Sequence, residues 1–309
     1  LGHSETQGPG RREAVMTPKK QKFIILGLFG AFLVIMPLII GYSMGYRITS
    51  DFKIVETGGI YLKNDEPDTT LYVNGIVKDA AGLIDSNLLI KNLKPGLYSI
   101  KLEKENFRPW KKSIQVEEKQ VEVGYPLLVP EKIEPEEIKK FLIEENVVRG
   151  IKKKVKVLND DYLDVVELFK NSRRPPKRFF PEWYTGKKDK ITAGRDIKLK
   201  GKVLLSQTGN RIYVKWIGRE KNLPFFIGTM EKKQIYTPDM PIASFDFFPG
   251  RNDSMLVRFK NGQLMAVEID TRFGVQNTYR ILKYCDSFLV DEHNLYFFSG
   301  AGLYSVDFD

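Results

Sequence analysis

The chain opens with one long apolar block and then changes period. From Phe23 to Tyr42, FIILGLFGAFLVIMPLIIGY, twenty positions carry no charge. At about 1.5 Å per residue this predicts a helix about 30 Å long, the thickness of a bilayer core. Pro37 and the interspersed glycines are tolerated in a spanning helix. Beyond a short polar stem, residues 43–57, the apolar positions alternate. In LYSIKLEKE, Tyr98, Ile100 and Leu102 face one way and Leu97, Ser99, Lys101 and Glu103 the other, the period of a half-buried strand. IYL, TLYV and NLLIKNL are strand-like too, and KSIQVEEKQVEVGYPLLV supplies two more strands. Asn74-Gly75 is a hairpin turn signal. About six or seven short strands over residues 58–130 predict a small β-sandwich.

Residues 131–200 break this grammar and read as a helical and basic connector. PEKIEPEEIKKFLIEEN places Pro135 and acids early and Ile138, Phe141 and Leu142 on one face, which predicts a helix. NDDYLDVVELFKN predicts a second, capped by Asn159 or Asp160. NSRRPPKRFFPEWY reads as an extended strap. Residues 201–309 then repeat a unit of strand, polar turn and strand at a spacing of about 40 residues, as propeller blades do. The turns fall at Gln207 to Asn210, Pro249 to Asp253 and Asp291 to Asn294; Gly turns at Asn261-Gly262 and Ser299 to Gly302 lead to third strands. Three such units fall short of the four to eight blades of a closed propeller. Either residues 140–200 add a degenerate blade or the array is incomplete. The fold class is therefore mainly β: a transmembrane helix, a small sandwich, then propeller-like sheets.

The sandwich segment resembles the PEGA domain, a bacterial cell-surface module. Pro67 and LYVNG match the opening of the family pattern, and LKPGLYSIKLEKENFRPWKKSIQV matches its Pro-Gly turn, alternating strand and tryptophan corner. Pro67-Asp68-Thr69-Thr70 replaces the Pro-Glu-Gly-Ala of the name, and Asn106-Phe107 replaces the usual Gly-Tyr. The layout as a whole resembles membrane-anchored PEGA-containing proteins of uncharacterised function, in which a blade-like region follows the module. DFFPGR at Asp246 to Arg251, and EID with an arginine at Glu268 to Arg272, fit that resemblance. It implies a small sandwich displayed at a bacterial surface.

Charge sets the orientation. Lys19, Lys20 and Lys22 precede the apolar run, with Arg11 and Arg12 further back, against Arg47 and Lys53 beyond it. The more cationic flank stays in the cytoplasm, so residues 1–22 form a cytoplasmic tail and residues 43–309 lie outside. The run exceeds a signal-peptide core and no small-x-small site follows it, which reads as an uncleaved anchor. Gly27 with Ala31, and Gly41 with Gly45, stand at helix-pairing spacing and allow a helix-mediated dimer. Residues 1–15 play no part in the fold reading.

The net charge is +10, and residues 149–202 alone hold 17 Lys and Arg against 7 Asp and Glu. Lys152, Lys154, Lys156, Arg173, Arg174, Lys177 and Arg178 are the candidate contacts to an anionic surface. Outside the cell the fitting partners are lipid headgroups or wall polymer rather than nucleic acid.

Candidate chemistry is sparse. There are 2 histidines, and His293 sits in a hairpin turn. The lone Cys285 reads as a buried apolar residue, so no intramolecular disulfide is expected. Metal-ligand spacings and the nucleophile elbow are absent, and no cofactor is implied. Asp246, Glu268 and Asp270 are the carboxylates a glycan hydrolase would draw on, although Asp246 and Asp270 suit backbone bonds at strand ends. The sequence favours a non-catalytic envelope protein whose β modules bind envelope polysaccharide or another surface protein. The alternatives are a glycan-acting enzyme, or a membrane sensor that signals through a partner.

Overall fold

The computed structural model describes residues 18–48, 52–78, 87–140, 146–148, 151–153 and 197–308. Helix α1, Pro18–Ser43, begins ahead of the apolar run, with proline in its first turn where no N–H is missed. Its segment Gln21–Ser43 has a mean hydropathy of 2.9 and is 0% buried. It is long and apolar enough to cross a membrane, a description that a signal sequence near an N-terminus can also meet. Gly45 lies past the helix, in a turn with φ +92. The Gly41–Gly45 spacing therefore does not lie on one helix, whereas Gly27 and Ala31 both do.

The described part of the stem carries a strand pair that its sequence does not announce. β1, Tyr46–Ile48, and β2, Ile54–Glu56, form a hairpin. Its base is closed by Thr57, whose N–H and hydroxyl both donate to the Gly45 carbonyl. Lys94 and Lys119 reach it from the sandwich, Lys94 donating to the Ile48 carbonyl and Lys119 pairing with Glu56 at 2.8 Å.

The sandwich comprises β3 Gly58–Leu62, β4 Thr70–Val73, β5 Ile76–Lys78, β6 Leu88–Leu93, β7 Gly96–Glu103, β8 Phe107–Arg108, β9 Trp110–Val116, β10 Val121–Gly124 and β11 Val129–Pro130. One sheet runs β10-β3-β6 and the other β5-β4-β7-β9, while β8 pairs with β11. Asn74 and Gly75 both take positive φ, the two-residue turn whose twist suits a hairpin. The two sheets bury one core between them. Ile60 and Leu62 come from the first, and Leu71, Ile100, Leu102 and Ile114 from the second. The alternation read for Tyr98, Ile100 and Leu102 holds, with Leu97 and Ser99 exposed.

Three four-stranded antiparallel sheets follow. The first is β15 Ile197–Lys200, β16 Val203–Thr208, β17 Arg211–Trp216 and β18 Lys233–Tyr236. The second is β19 Ile242–Phe247, β20 Ser254–Phe259, β21 Leu264–Glu268 and β22 Thr278–Leu282. The third is β23 Ser287–Asp291, β24 Asn294–Ser299 and β25 Gly302–Asp307, with β12, Glu136–Lys140, as its outer strand. All are open sheets, and the turns read from the sequence join their strands. Strand β19 approaches both β15 and β23. The second sheet is buried on both faces. Met255 and Val257 enter the core shared with the first sheet, and Leu256 enters the core shared with the third. That is why Met255, Leu256 and Val257 are apolar in succession rather than alternating with polar residues.

The helix expected in PEKIEPEEIKKFLIEEN is corrected where the structure describes it. Residues 136–140 are strand β12, paired antiparallel with β25. Helix propensity yields because β25 would otherwise expose a ladder edge; a charged Glu-Glu-Ile-Lys-Lys strand covers it and still resists further pairing. The Tyr304 hydroxyl donates to Glu137 at 3.3 Å. A separate antiparallel pair, β13 Asn146–Val148 with β14 Ile151–Lys153, follows. The helix expected near residues 159–171 and the strap at 171–184 lie outside the described residues.

Candidate functional site

The sandwich meets the second sheet through side chains that its own alternation aims inward. Strand β9 buries Trp110, Lys112, Ile114 and Val116 and exposes the residues between. Three of these are core residues; Lys112 is a charge. Its ammonium pairs with Glu268, at the end of β21, at 3.0 Å, with the two side chains 1% and 2% exposed. It also donates to the carbonyls of Asp270 at 3.1 Å and Val275 at 2.7 Å. Glu268 takes further bonds from the Trp110 indole N–H, and from the Asn277 backbone and side-chain N–H groups at 3.0 and 3.1 Å. Burial pushes the Glu268 carboxyl above its ordinary value, while Lys112, the Asn277 N–H and Trp110 pull it back. A buried ion pair is tolerable only when its remaining valences are met, and here donors surround the carboxylate.

The segment Tyr125 to Pro130 seals the same seam. Leu128 enters the sandwich core, while Leu127 and Val129 enter the core between the second and third sheets. Tyr125 packs edge-on against Phe226 with ring centroids 5.1 Å apart. Arg272 links the units again: it forks onto Asp270 at 3.0 and 2.8 Å and donates to the Val123 carbonyl at 2.6 Å. The expected last sandwich strand is thus shared between the sandwich and the sheets.

Beside this seam opens a cleft of about 550 Å³. One wall is sandwich turn: Lys63, Asp65, Glu66, Pro67, Lys104 and Phe107. The other is the β19–β20 turn, Phe248 to Asp253, with His293, Asp307 and Phe308 from the third sheet. Lys104 pairs with Glu66 at 2.7 Å and lies over the Phe107 ring. Arg251 holds Asp253 through two bonds at 2.8 and 2.9 Å and reaches across to Asp65 at 3.2 Å. Basic and acidic groups both line the walls, together with proline and phenylalanine side chains. Such a lining suits a neutral or zwitterionic ligand with apolar faces better than a polyanion, because neither sign of charge dominates.

The candidate carboxylates are each engaged by a different cation. Asp246 pairs with Lys198, Glu268 with Lys112 and Asp270 with Arg272. Asp246 and Asp270 also accept backbone N–H bonds, from Phe247 and Arg272, as strand-end residues do. His293 is exposed in its turn and lines the cleft. Cys285 is fully buried, and burial pushes its thiol up to about 12. Among the described residues no group of three His, Cys, Asp or Glu stands together to hold a metal ion. Of the basic candidates, Lys152 lies in β14, opposite Val147. Lys154, Lys156, Arg173, Arg174, Lys177 and Arg178 lie outside the described residues. The sequence reading missed Lys112 and the cleft. Lys112 was legible in principle, since its period-two place between Trp110 and Ile114 puts it indoors.

Residues 58–128 match the PEGA domain, the sandwich and the start of the seam. No curated protein matches the chain. Among solved structures the chain is similar to the crystal structure of the N-terminal domain of Nup159, at 15% identity and a TM-score of 0.27. That likeness covers 36% of this chain and 26% of the other, and carries no argument about fold or role.

Proposed function

We propose that this is a membrane-anchored, non-catalytic envelope protein whose sandwich and sheets act as one rigid body presenting the interdomain cleft to an envelope polysaccharide or another surface protein. In this reading α1 spans the bilayer with Lys19, Lys20 and Lys22 on the cytoplasmic side, and residues 43–309 stand outside. The three sheets are consecutive blades of a propeller-like array. Two observations support that: neighbouring first strands lie together, and an upstream strand, β12, completes the last sheet.

The observation that carries the proposal is the cleft itself. It draws its two walls from the sandwich and the sheets, and the buried Lys112–Glu268 pair beside it holds those walls in fixed register. A site assembled from turns on rigid scaffolds is where recognition commonly resides. The separate cation on each of Asp246, Glu268 and Asp270 supports a binding role over a carboxylate hydrolase.

The test is co-sedimentation of the detergent-solubilised full chain with isolated bacterial wall, alongside a charge-swapped Lys63→Glu, Asp65→Lys variant with unchanged net charge. The expected result is retention of the parent and loss of the variant. Equal retention of both removes the cleft from the proposal, and no retention of the parent removes the wall as partner.

A further inference from the structure

The stem hairpin carries apolar surface that the protein does not use. Ile48 and Ile54 stand directly opposite each other on one face of β1–β2 and are 62% and 71% exposed. Phe52, near the tip, is 90% exposed and has φ 56. A bulky side chain in the left-handed region is uncommon and strained. Phe52 therefore carries a conformational cost and a hydration cost together. Met44, just past the helix end, is also exposed, at 67%.

Position says what covers this patch. The hairpin follows α1 with only a turn between, tied by the Gly45 N–H to the Tyr42 carbonyl and by Thr57 to Gly45. Arg47 folds back onto α1, stacking over the Tyr42 ring at 3.7 Å and donating to the Tyr42 carbonyl. A tyrosine and an arginine at the end of an apolar helix mark the headgroup level of a bilayer. Lys53 adds a second cation beside the exposed phenylalanine. Apolar side chains with flanking cations are the make-up of an interfacial membrane contact.

We infer that the β1–β2 hairpin is a second membrane-binding element, with Phe52, Ile48 and Ile54 inserted at the boundary between headgroups and acyl chains of the bilayer that α1 crosses. The inference rests on the membrane-spanning reading of α1. The hairpin is clamped to the sandwich by Lys94 and Lys119. Its insertion would hold the rigid body at a fixed height and tilt above the lipid, which the helix alone does not do.

Site-directed spin labelling of the full chain in phosphatidylcholine–phosphatidylglycerol vesicles tests this. Cys285 is fully buried, so labelling falls on introduced cysteines. Labels go at Phe52→Cys and, separately, Ile54→Cys. Leu33→Cys is the hydrocarbon reference and Ile217→Cys, on the sheets, the aqueous one. The expected result is a several-fold higher ratio of oxygen to water-soluble nickel-chelate accessibility at 52 and 54 than at 217, approaching that at 33. Ratios at 52 and 54 equal to 217, with 33 in hydrocarbon, overturn the inference and leave the span standing. Protection at 52 from both relaxants assigns the patch to a protein partner and also overturns it. An aqueous ratio at 33 removes the span and the inference together.

Discussion

Two of the ion pairs between the sandwich and the second sheet differ mainly in depth. Lys112 and Glu268 are 1% and 2% exposed; Arg251 and Asp65 are 15% and 62% exposed. Both reach across the same seam. The deep pair is ringed by donors to the carboxylate and carbonyls that take the ammonium. The shallow pair shares its arginine with Asp253 and faces the open cleft. Depth separates a contact that fixes geometry from one that a ligand can displace, because water competes for the second and not for the first.

The contrast breaks most sharply at Lys112. Lys112→Met leaves the Glu268 carboxylate buried without its cation and should cost about 3–5 kcal/mol in chemical unfolding of the full chain. Adding Glu268→Leu should return most of that, since no charge is then stranded, although Trp110 and Asn277 lose their acceptor. A double variant no better than the single would show that the pair does not act as a unit.

The next effect is set by pH. The Cys285 thiol has an ordinary value of 9.0 and burial pushes it up to about 12, so the folded state keeps a proton that the unfolded state releases. Its contribution is full below pH 9 and is lost as pH rises through about 12, at most about 4 kcal/mol in all. Tyr279, raised chiefly by burial, acts in the same direction. Unfolding midpoints measured against pH should therefore fall on the alkaline side, and Cys285→Ala should flatten that fall. An unchanged slope would assign it to other groups.

Smaller still is the indole bond. Trp110→Phe keeps most of the ring in the sandwich core but removes a donor to a buried carboxylate, and should cost about 1–3 kcal/mol by the same measurement. Asp65→Asn, at the rim, should cost under about 1 kcal/mol, and the difference should shrink in high salt. A rim loss as large as the Lys112 loss would erase the distinction between the buried pair and the exposed one.

How legible these regions were depends on the range of the interactions that form them. The alternation at Tyr98 to Glu103, the Asn74-Gly75 hairpin and the turns of the sheets are local, and the structure keeps them. The strands β15, β18 and β22 escaped notice because each is only four or five residues long, too short for a period to stand out. Strand β12 was misread because Glu, Lys and Ile satisfy helix propensity equally well until a distant edge, β25, competes for their backbone. The carboxylates were visible as residue types, but their partners were not. Glu268 is 158 positions from Trp110, and no local pattern joins them.

By itself the sequence determined that an apolar helix precedes a mainly β body, that a sandwich of PEGA type opens that body, and that residues 201–309 repeat in turn-linked strands. Those properties depend on period, turn chemistry and composition, which act over a few residues. Only the tertiary structure decided which charges went inside, which segment closed the last sheet and where a cleft opened. Each of those outcomes follows from surfaces far apart in the chain competing for the same water-free space.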